Sequence, residues 1–496
     1  DSKGFRKIIK NILFNEKYTI EDFLPNKIMN EENICGLKEA LTKIHFPNDN
    51  DEITKSLYRL KYNEHFFIQL LMALKKYHIK KNDGVSFPKR GMYLKKIYES
   101  LNFELTNAQI RVLREIRADL KSINPMNRLI QGDVGSGKTI VAVLTAAIVI
   151  AEEYQVALMA PTEILAEQHY LSIKEYCECV DIDCAILTSN TPQKEKKVTL
   201  NKLKTGEIQF VIGTHSLIQD KVSFNNLGLI IIDEQHRFGV EHRKLLVNKG
   251  LNPEVLAMTA TPIPRTLSIT LHGDMDISII DELPKNRIPI QTELITPSKI
   301  KNAYQKIKNE INNGGQCFIV YPLIEESEKL DLEAAESGYK KLQKVFSDFK
   351  LGYINGKMKK EEIDIQMQLM AEGKIDCLIT TTVIEVGINI PNATIMLIEN
   401  AERFGMTQLH QLRGRIGRGT KKSTCIMVQR NKTENSNKRL KIMESTLDGF
   451  IISDEDLKMR GPGDFFGTKQ HGFIKSKVVD FNADGPIIRR ARYQAL

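Results

Sequence analysis

The residues Gly132-Asp133-Val134-Gly135-Ser136-Gly137-Lys138-Thr139 follow the pattern GxxxxGK[ST]. Glycines at this spacing let backbone N–H groups close around phosphate oxygens. Lys138 would reach the β and γ phosphates, and the hydroxyl of Thr139 can ligate Mg²⁺. Further on, Asp233 and Glu234 follow the apolar residues Leu229–Ile232, so both carboxylates emerge at the carboxyl end of a buried strand. Asp233 is suited to hold Mg²⁺. Glu234 is suited to orient and polarise an attacking water. A third pattern, Gln411-x-x-Gly414-Arg415-x-Gly417-Arg418, carries two arginines, each beside a glycine. Such arginines act as fingers on a transferred phosphoryl group, an effect worth roughly 10³–10⁵ in rate. Taken singly, each pattern has a plain counterpart: a chance glycine loop, an acidic loop after a strand, a solvated basic loop. Their joint occurrence points instead to hydrolysis of a nucleoside triphosphate.

Phosphate-cradling loops need a strand before them and a helix after, and the chain supplies a strand ending at Gln131 and an apolar helix over Ile140–Ala151. From about residue 101, short β-branched runs alternate with helical segments, the texture of parallel sheets with crossover helices. Arg128–Gln131, Val156–Ala160, Phe210–Gly213, Leu229–Ile232 and Val255–Met258 read as buried strands of one sheet. Cys317–Tyr321, Tyr353–Ile354, Cys377–Thr380, Ile395–Ile398 and Cys425–Val428 repeat the pattern after a polar, proline-bearing joint at Leu283–Pro297. Residues 1–100 show apolar positions at helical spacing and few strand-like runs. Near the end, Ser453 and Asp456 form a capping box for a helix over Asp454–Arg460, which Gly461-Pro462 stops.

Composition sets the outer bounds. With 496 residues, 42% hydrophobic and 27% charged, the chain has the balance of a globular protein of two to four domains. The run Ile140–Ala151 falls short of the ~18 residues that cross a bilayer. No membrane partner is expected. Asp1 stands where a start methionine would, with no basic-then-apolar leader after it, which reads as a fragment of a cytoplasmic protein. Seven scattered cysteines without a CxxC pair read as buried free thiols. A net charge of +9 is compatible with a polyanionic partner but does not identify one.

Leu105-Thr106-Asn107-Ala108-Gln109, the phosphate loop, Ala160-Pro161-Thr162-Glu163, Gly213-Thr214-His215, Asp233-Glu234-Gln235-His236, Thr259-Ala260-Thr261-Pro262 and the glycine-arginine pattern occur in the order of superfamily 2 helicases. The resemblance runs through residues 105–418. It implies an α/β fold of two tandem RecA-like P-loop NTPase domains, with ATP between them and a nucleic-acid strand across their tops. On this resemblance Gln109 reads adenine, with Phe103 a candidate to stack on the ring. His236, Thr259, Thr261 and Gln411 couple hydrolysis to movement. Thr162, Gln168, Thr214 and His215, with Thr381, Thr382 and Glu385, contact the strand. Contacts of that kind position a backbone without reading bases, so binding should be independent of sequence.

Asp233-Glu234-Gln235-His236-Arg237-Phe238-Gly239, Thr261-Pro262-Ile263-Pro264-Arg265-Thr266-Leu267 and Tyr321-Pro322-Leu323-Ile324-Glu325-Glu326-Ser327-Glu328 resemble the RecG family within the superfamily. The tail Asp456-Leu457-x-x-Arg460-Gly461-Pro462-Gly463-Asp464-Phe465-Phe466-Gly467-Thr468-x-Gln470 is similar to a helical-hairpin translocation motif shared with the transcription-repair coupling family. Arg460 and Gln470 are its candidate coupling residues. The lead-in Leu24-Pro25 and Ala40-Leu41-x-x-Ile44-His45-Phe46-Pro47 resembles the RecG stretch before the motor. What this resemblance implies is a helical lead-in over 1–100, motor domains at 101–284 and 285–445, and a helical hairpin with C-terminal segment at 446–496. It also implies an ATP- and Mg²⁺-dependent bacterial motor on duplex and branched DNA, acting as a monomer. The all-β wedge domain of that family needs several short strands, which residues 1–100 do not offer. The lead-in helices read as a clamp packed on the motor, with a partner-binding arm as the alternative. Two other functional readings stand beside the motor: a transcription-repair coupling translocase, and a non-hydrolysing nucleotide scaffold. Intact Lys138, Glu234, Arg415 and Arg418 oppose the scaffold.

Overall fold

The computed structural model describes residues 2–15, 17–80, 83–89, 91–261, 264, 267–268, 270, 273–285, 287–322, 338–381, 390–419, 421–460, 478–480 and 483–496, with the backbone alone at 2, 3, 79, 80, 360 and 460. The chain divides into two compact units. One combines Asp1–Ile79, Pro264–Met275 and Leu457–Leu496; the other combines Lys80–Ile263 and Asp276–Asp456.

In the first unit the chain opens with α1 (Ser2–Leu13), α2 (Asn26–Glu32), α3 (Leu37–His45) and α4 (Asn50–Lys80). Among the described residues 1–100 there is no strand. The second unit holds two parallel sheets. The first contains β1 (Asn127–Gly132), β2 (Gln155–Met159), β3 (Cys184–Leu187), β4 (Phe210–Gly213), β5 (Leu227–Ile232), β6 (Glu254–Thr259) and β7 (Asp276–Ile280), in the order β3-β4-β2-β5-β6-β1-β7. The second contains β8 (Gln291–Ile295), β9 (Gln316–Val320), β10 (Leu351–Ile354), β11 (Cys377–Thr380), β12 (Ala393–Ile398) and β13 (Thr424–Val428), in the order β10-β11-β9-β12-β13-β8. Every residue of β2, β5 and β12 is buried, which is why these strands are apolar without alternation.

Helices connect and cover the strands: α5 (Met92–Ser100), α6 (Asn107–Leu120), α7 (Lys138–Ile150), α8 (Glu163–Glu178), α9 (Gln193–Thr205), α10 (Val240–Val247), α11 (Ile300–Asn312), α12 (Lys360–Ala371), α13 (Met406–Arg413), α14 (Glu434–Ser445) and α15 (Gly449–Arg460). The last helix, α16 (Gly485–Ala495), belongs to the first unit. There Ile487 and Ala491 pack with Leu24, Ile28, Tyr62 and Phe66. In α7 every residue but Thr139 is buried, so the apolar run is a core helix. Among the described residues no helix is long and apolar enough to cross a membrane.

Several expectations change. β3, β7 and β8 escape the sequence reading. β8 lies inside the stretch read as a joint, and its side chains are exposed or half-buried because it is an edge strand. The lead-in does not extend as one body to residue 100: Phe87 and Ile97 are buried in the core of the first sheet, where Val85, Tyr93 and Leu94 also pack. The helix expected at Asp454 begins at Gly449, with the Asp448 carboxylate accepting from Phe450 N at 2.8 Å and Ile451 N at 3.3 Å. Ser453 and Asp456 are buried inside that helix and do not cap it. All seven cysteines are free, and only Cys177, Cys317, Cys377 and Cys425 are buried, Cys179 being exposed. The turn at Gly461-Pro462, together with Pro262, Leu323–Glu328, Thr382, Glu385 and Gln470, lies outside the described residues, as does the Arg460 side chain.

Candidate active site

The phosphate loop leaves β1 at Gly132 and enters α7 at Lys138. Gly135 and Gly137 have φ of 77° and 82°, a region that costs any other residue. Gly137 is constrained twice, since a Cβ there would collide with the side-chain amide of Gln109. Gln109 earns that proximity from its own helix start. Its backbone N donates to Thr106 Oγ1 at 3.2 Å, its Oε1 accepts from Thr106 N at 2.9 Å, and its Nε2 donates to Ser136 O at 2.8 Å. A capping box thus fixes one end of α6 and delivers an amide to the loop. Lys138 Nζ donates to Gly132 O at 2.7 Å and Asp133 O at 2.9 Å, folded onto its own loop. Burial pulls its pKa down, while Glu234, Asp233 and Asp133 oppose that shift.

Asp233 follows β5, and its backbone N continues the ladder to Met159 O at 3.0 Å. The next residue, Glu234, is left-handed at φ 48°, a turn that costs an L-residue roughly 1–2 kcal/mol and throws its side chain toward β6. There Glu234 Oε2 accepts from Ala260 N at 3.4 Å and lies 3.5 Å from His236 Nδ1. The two carboxylates are pushed apart electrostatically. Burial raises Asp233, but the His169 hydrogen bond at 2.8 Å, the charge on His169 and Lys138 bring it below the usual range. Glu234 is raised by burial and by the neighbouring Asp233. One group is held ionised and the other is drawn toward accepting a proton.

The second sheet supplies the facing wall through α13 and the loop after it. A Cβ on Gly414 would sit 3.0 Å from Val134 Cβ, so the two walls come into close contact there and a larger residue would push them apart. Gln411 Nε2 donates to Thr261 Oγ1 at 2.8 Å, and Thr261 N donates to Thr259 Oγ1 at 3.2 Å. His410 Nδ1 faces Arg413 Nη2 at 3.1 Å and must accept, because a guanidinium only donates. Its Nε2–H therefore donates to Asp133 Oδ1, 2.6 Å away. Arg413 Nη1 reaches Met443 O at 2.6 Å and Thr446 O at 3.0 Å.

Between the walls lies a cleft of about 980 Å³ lined by Lys138, Arg237, Arg287, Arg415 and Arg418 against the carboxylates Asp233 and Glu234. Burial, together with Arg415 and Arg287, holds Arg418 below the usual arginine range. A cleft with that excess of cations is matched to a polyphosphate. Phe103, Gln109, Val134, Gly135, Gly137, Thr139, His236 and Gln411 line it as well. For Mg²⁺ the donor set is hard oxygen, the Thr139 hydroxyl and an ionised Asp233, beside a loop whose glycines leave room that a Cβ would fill; these residues fit the ion.

Of the expected strand-contacting residues, those described lie in different settings. Thr162 and Gln168 line the cleft, with Thr162 Oγ1 capping α8 by accepting from Leu165 N at 3.4 Å. Thr214 is buried, and its neighbour His215 lies against Phe238 and His242 at ring separations of 5.2 and 4.9 Å. Thr381 is wholly buried, so its hydroxyl is not presented to a strand in this conformation. The sequence reading missed His169, Arg287, His410 and Arg413. Only His410 and Arg413 carried a signal, as neighbours within the glycine-arginine pattern.

Two parallel α/β sheets, one bearing a phosphate loop and the other an arginine pair facing it, make the site of a tandem RecA-like P-loop NTPase. In agreement, residues 106–269 match the DEAD/DEAH box helicase family, residues 298–420 the helicase conserved C-terminal domain, and residues 446–496 the domain described as ATP-dependent DNA helicase RecG, domain 3, C-terminal. The ATP-dependent DNA helicase RecG of Bacillus subtilis is 45% identical over 495 residues, covering 99% of this chain and 73% of that protein. That of Synechocystis is 44% identical over 478 residues, 96% of this chain. A structure of RecG bound to a three-way DNA junction superposes with a TM-score of 0.79 at 41% identity, covering 98% of this chain and 64% of that one. The chain belongs to the RecG family. It spans 58% of the Synechocystis protein's length.

Proposed function

We propose that this chain is the ATP-driven motor of a branched-DNA remodeller: it hydrolyses ATP and uses the energy to pull duplex DNA, acting at stalled forks and four-way junctions in recombination and repair. The observation that carries the reading is the cationic cleft closed by both sheets, in which the phosphate loop, Glu234 and the Arg415/Arg418 pair face one another. The junction-bound RecG neighbour supports DNA as the polymer on which the motor acts.

In this reading Lys138 leaves the carbonyls of Gly132 and Asp133 to bind the outer phosphates, and the loop amides of Gly132–Thr139, including Val134 and Ser136, wrap the rest. Gln109 recognises adenine and Phe103 covers the ring. Thr139 and Asp233 hold Mg²⁺, which supplies charge neutralisation on the phosphates. Glu234, already raised toward protonation, orients water and takes its proton. Arg415 and Arg418 stabilise charge on the outer phosphate. Loss of that phosphate is felt through Gln411–Thr261 and Thr261–Thr259, and His236 reports on the Glu234 carboxylate. Arg460 and Gln470 couple the motor to the duplex. Thr162, Gln168, Thr214, His215, Thr381, Thr382 and Glu385 contact the DNA backbone, Thr381 only after rearrangement. Motor domains at 101–284 and 285–445, a monomeric motor and a bacterial cytoplasmic setting complete the proposal.

The test is steady-state ATP hydrolysis at fixed low salt with no DNA, single strand, duplex and a four-way junction. Stimulation by duplex or junction is expected; stimulation by single strand alone would replace duplex pulling with strand tracking. Lys138→Ala should abolish turnover, whereas Glu234→Gln should bind ATP and fail to split it. Stimulated affinity for DNA should fall steeply with salt, because the contacts are to phosphate.

A further inference from the structure

The segment joining β7 to β8 carries a cation that the reading above leaves without a role. Arg287 projects from this segment into the nucleotide cleft, and its Nη1 donates to Val134 O at the crest of the phosphate loop. Its backbone is held by a turn, Arg287 N donating to Pro284 O at 3.1 Å, and Pro284 lines the cleft too. The approach is close: a Cβ on Gly135 would lie 3.0 Å from Arg287 Cζ, so the guanidinium keeps this position only while residue 135 is glycine and would otherwise have to shift.

Arg287 has no carboxylate partner among the described residues. Asp133, the acid whose charge acts on Arg287, has its Oδ1 engaged by His410 at 2.6 Å and by Val134 N at 2.7 Å. The cations Lys138, Arg415 and Arg418 line the same cleft, as do the carboxylates Asp233 and Glu234. Burial lowers the Arg287 pKa, Asp133 opposing, and Arg287 in turn lowers that of Arg418. A half-buried guanidinium that faces Arg418 and, among the described residues, donates only to a neutral carbonyl is better satisfied when an anion completes it. Arginine's planar fork suits the oxygens of a phosphate.

We infer that Arg287 is a phosphate-binding residue of the cleft, one that engages the bound nucleotide before any bond breaks and draws the joining segment onto the phosphate loop. The inference rests on the reading of the cleft as an ATP site. Because Arg287 sits on the connection between the two sheets, its contact ties nucleotide occupancy to the position of that connection. Its contribution belongs to binding, whereas Arg415 and Arg418 act on the charge that develops later.

The experiment compares Arg287→Gln and Arg287→Lys with the unaltered chain in equilibrium binding of ATP and ADP at several ionic strengths, followed by kinetics. Arg287→Gln should weaken ATP about tenfold and flatten the salt dependence of its affinity; Arg287→Lys should keep the salt dependence and lose about threefold. KM for ATP should rise about tenfold in Arg287→Gln with kcat within threefold. An unchanged salt dependence in Arg287→Gln, which a clip holding only the Val134 carbonyl would give, overturns the inference. A loss in kcat at constant KM overturns it as well, by moving Arg287 to the finger pair. Failure of the unaltered chain to bind ATP would instead remove the reading of the cleft itself.

Discussion

Adjacent in sequence, Asp233 and Glu234 are driven to opposite protonation tendencies by their neighbours, His169 on one side and burial on the other. A third acid shows how burial alone acts. Glu254, at the start of β6, is 1% exposed, accepts from Met126 N at 2.5 Å, and is pushed up to about 8. The native state thus binds more protons than the unfolded chain between the ordinary glutamate value of 4.5 and about 8, so this contribution is complete below that window and is lost as pH rises through it. The slope is at most about 1.4 kcal/mol per pH unit. Glu254→Gln, which keeps an acceptor for Met126 N without a charge, should match the parent near pH 5 and exceed it in melting temperature at pH 8. Parallel stability–pH curves for the two proteins would refute this. The phosphate loop, the acidic pair and the arginine pair were legible because each is a local pattern. His169 and Arg287 were not, since their partners lie 64 and 153 residues away and only the fold brings them near.

At the scale of elements, α13 is the piece that ties the walls together. It offers His410 to Asp133 on the phosphate loop and Arg413 to the carbonyls at the end of α14, one turn before α15 begins. A buried hydrogen bond to a carboxylate is worth about 1.5–3 kcal/mol. A double-mutant cycle of His410→Ala with Asp133→Ala should return a coupling of that order in urea unfolding; additive effects would show that the contact carries no energy. The apolar central strands and the buried α7 were readable from their runs of β-branched residues. β3, β7 and β8 were not: short or edge strands bury fewer side chains and so lack the continuous apolar signal. The α15 start was misread because a capping-box spacing also occurs inside helices, where Ser453 and Asp456 are buried, while Asp448 does the capping.

At the scale of the whole molecule, the first unit is assembled from three separated stretches of chain, and nothing local in the sequence announces that Ile487 and Ala491 will close over Tyr62 and Phe66. Asp484 completes the join from within the same unit, meeting Lys61 Nζ at 2.6 Å and the fully buried His65 at 3.2 Å. Burial lowers the His65 pKa, its contacts with Asp484 opposing. The native state therefore binds fewer protons near the ordinary histidine value of 6.5, and stability present above that value is lost as pH falls below it. Hydrogen exchange of α4 and α16, corrected for its intrinsic rate, should accelerate between pH 7 and 5.5; constant protection would exclude His65 as the cause. The three-stretch assembly also has a consequence in time. A ribosome reaches Ile487 only 421 residues after Phe66, the difference of the two positions. At about 5–20 residues per second, that leaves Tyr62 and Phe66 without their cover for roughly 20–80 s. Throughout that interval the helices carrying Tyr62, Phe66 and Ile28 present an open apolar face, and chaperone dependence during synthesis should concentrate on them.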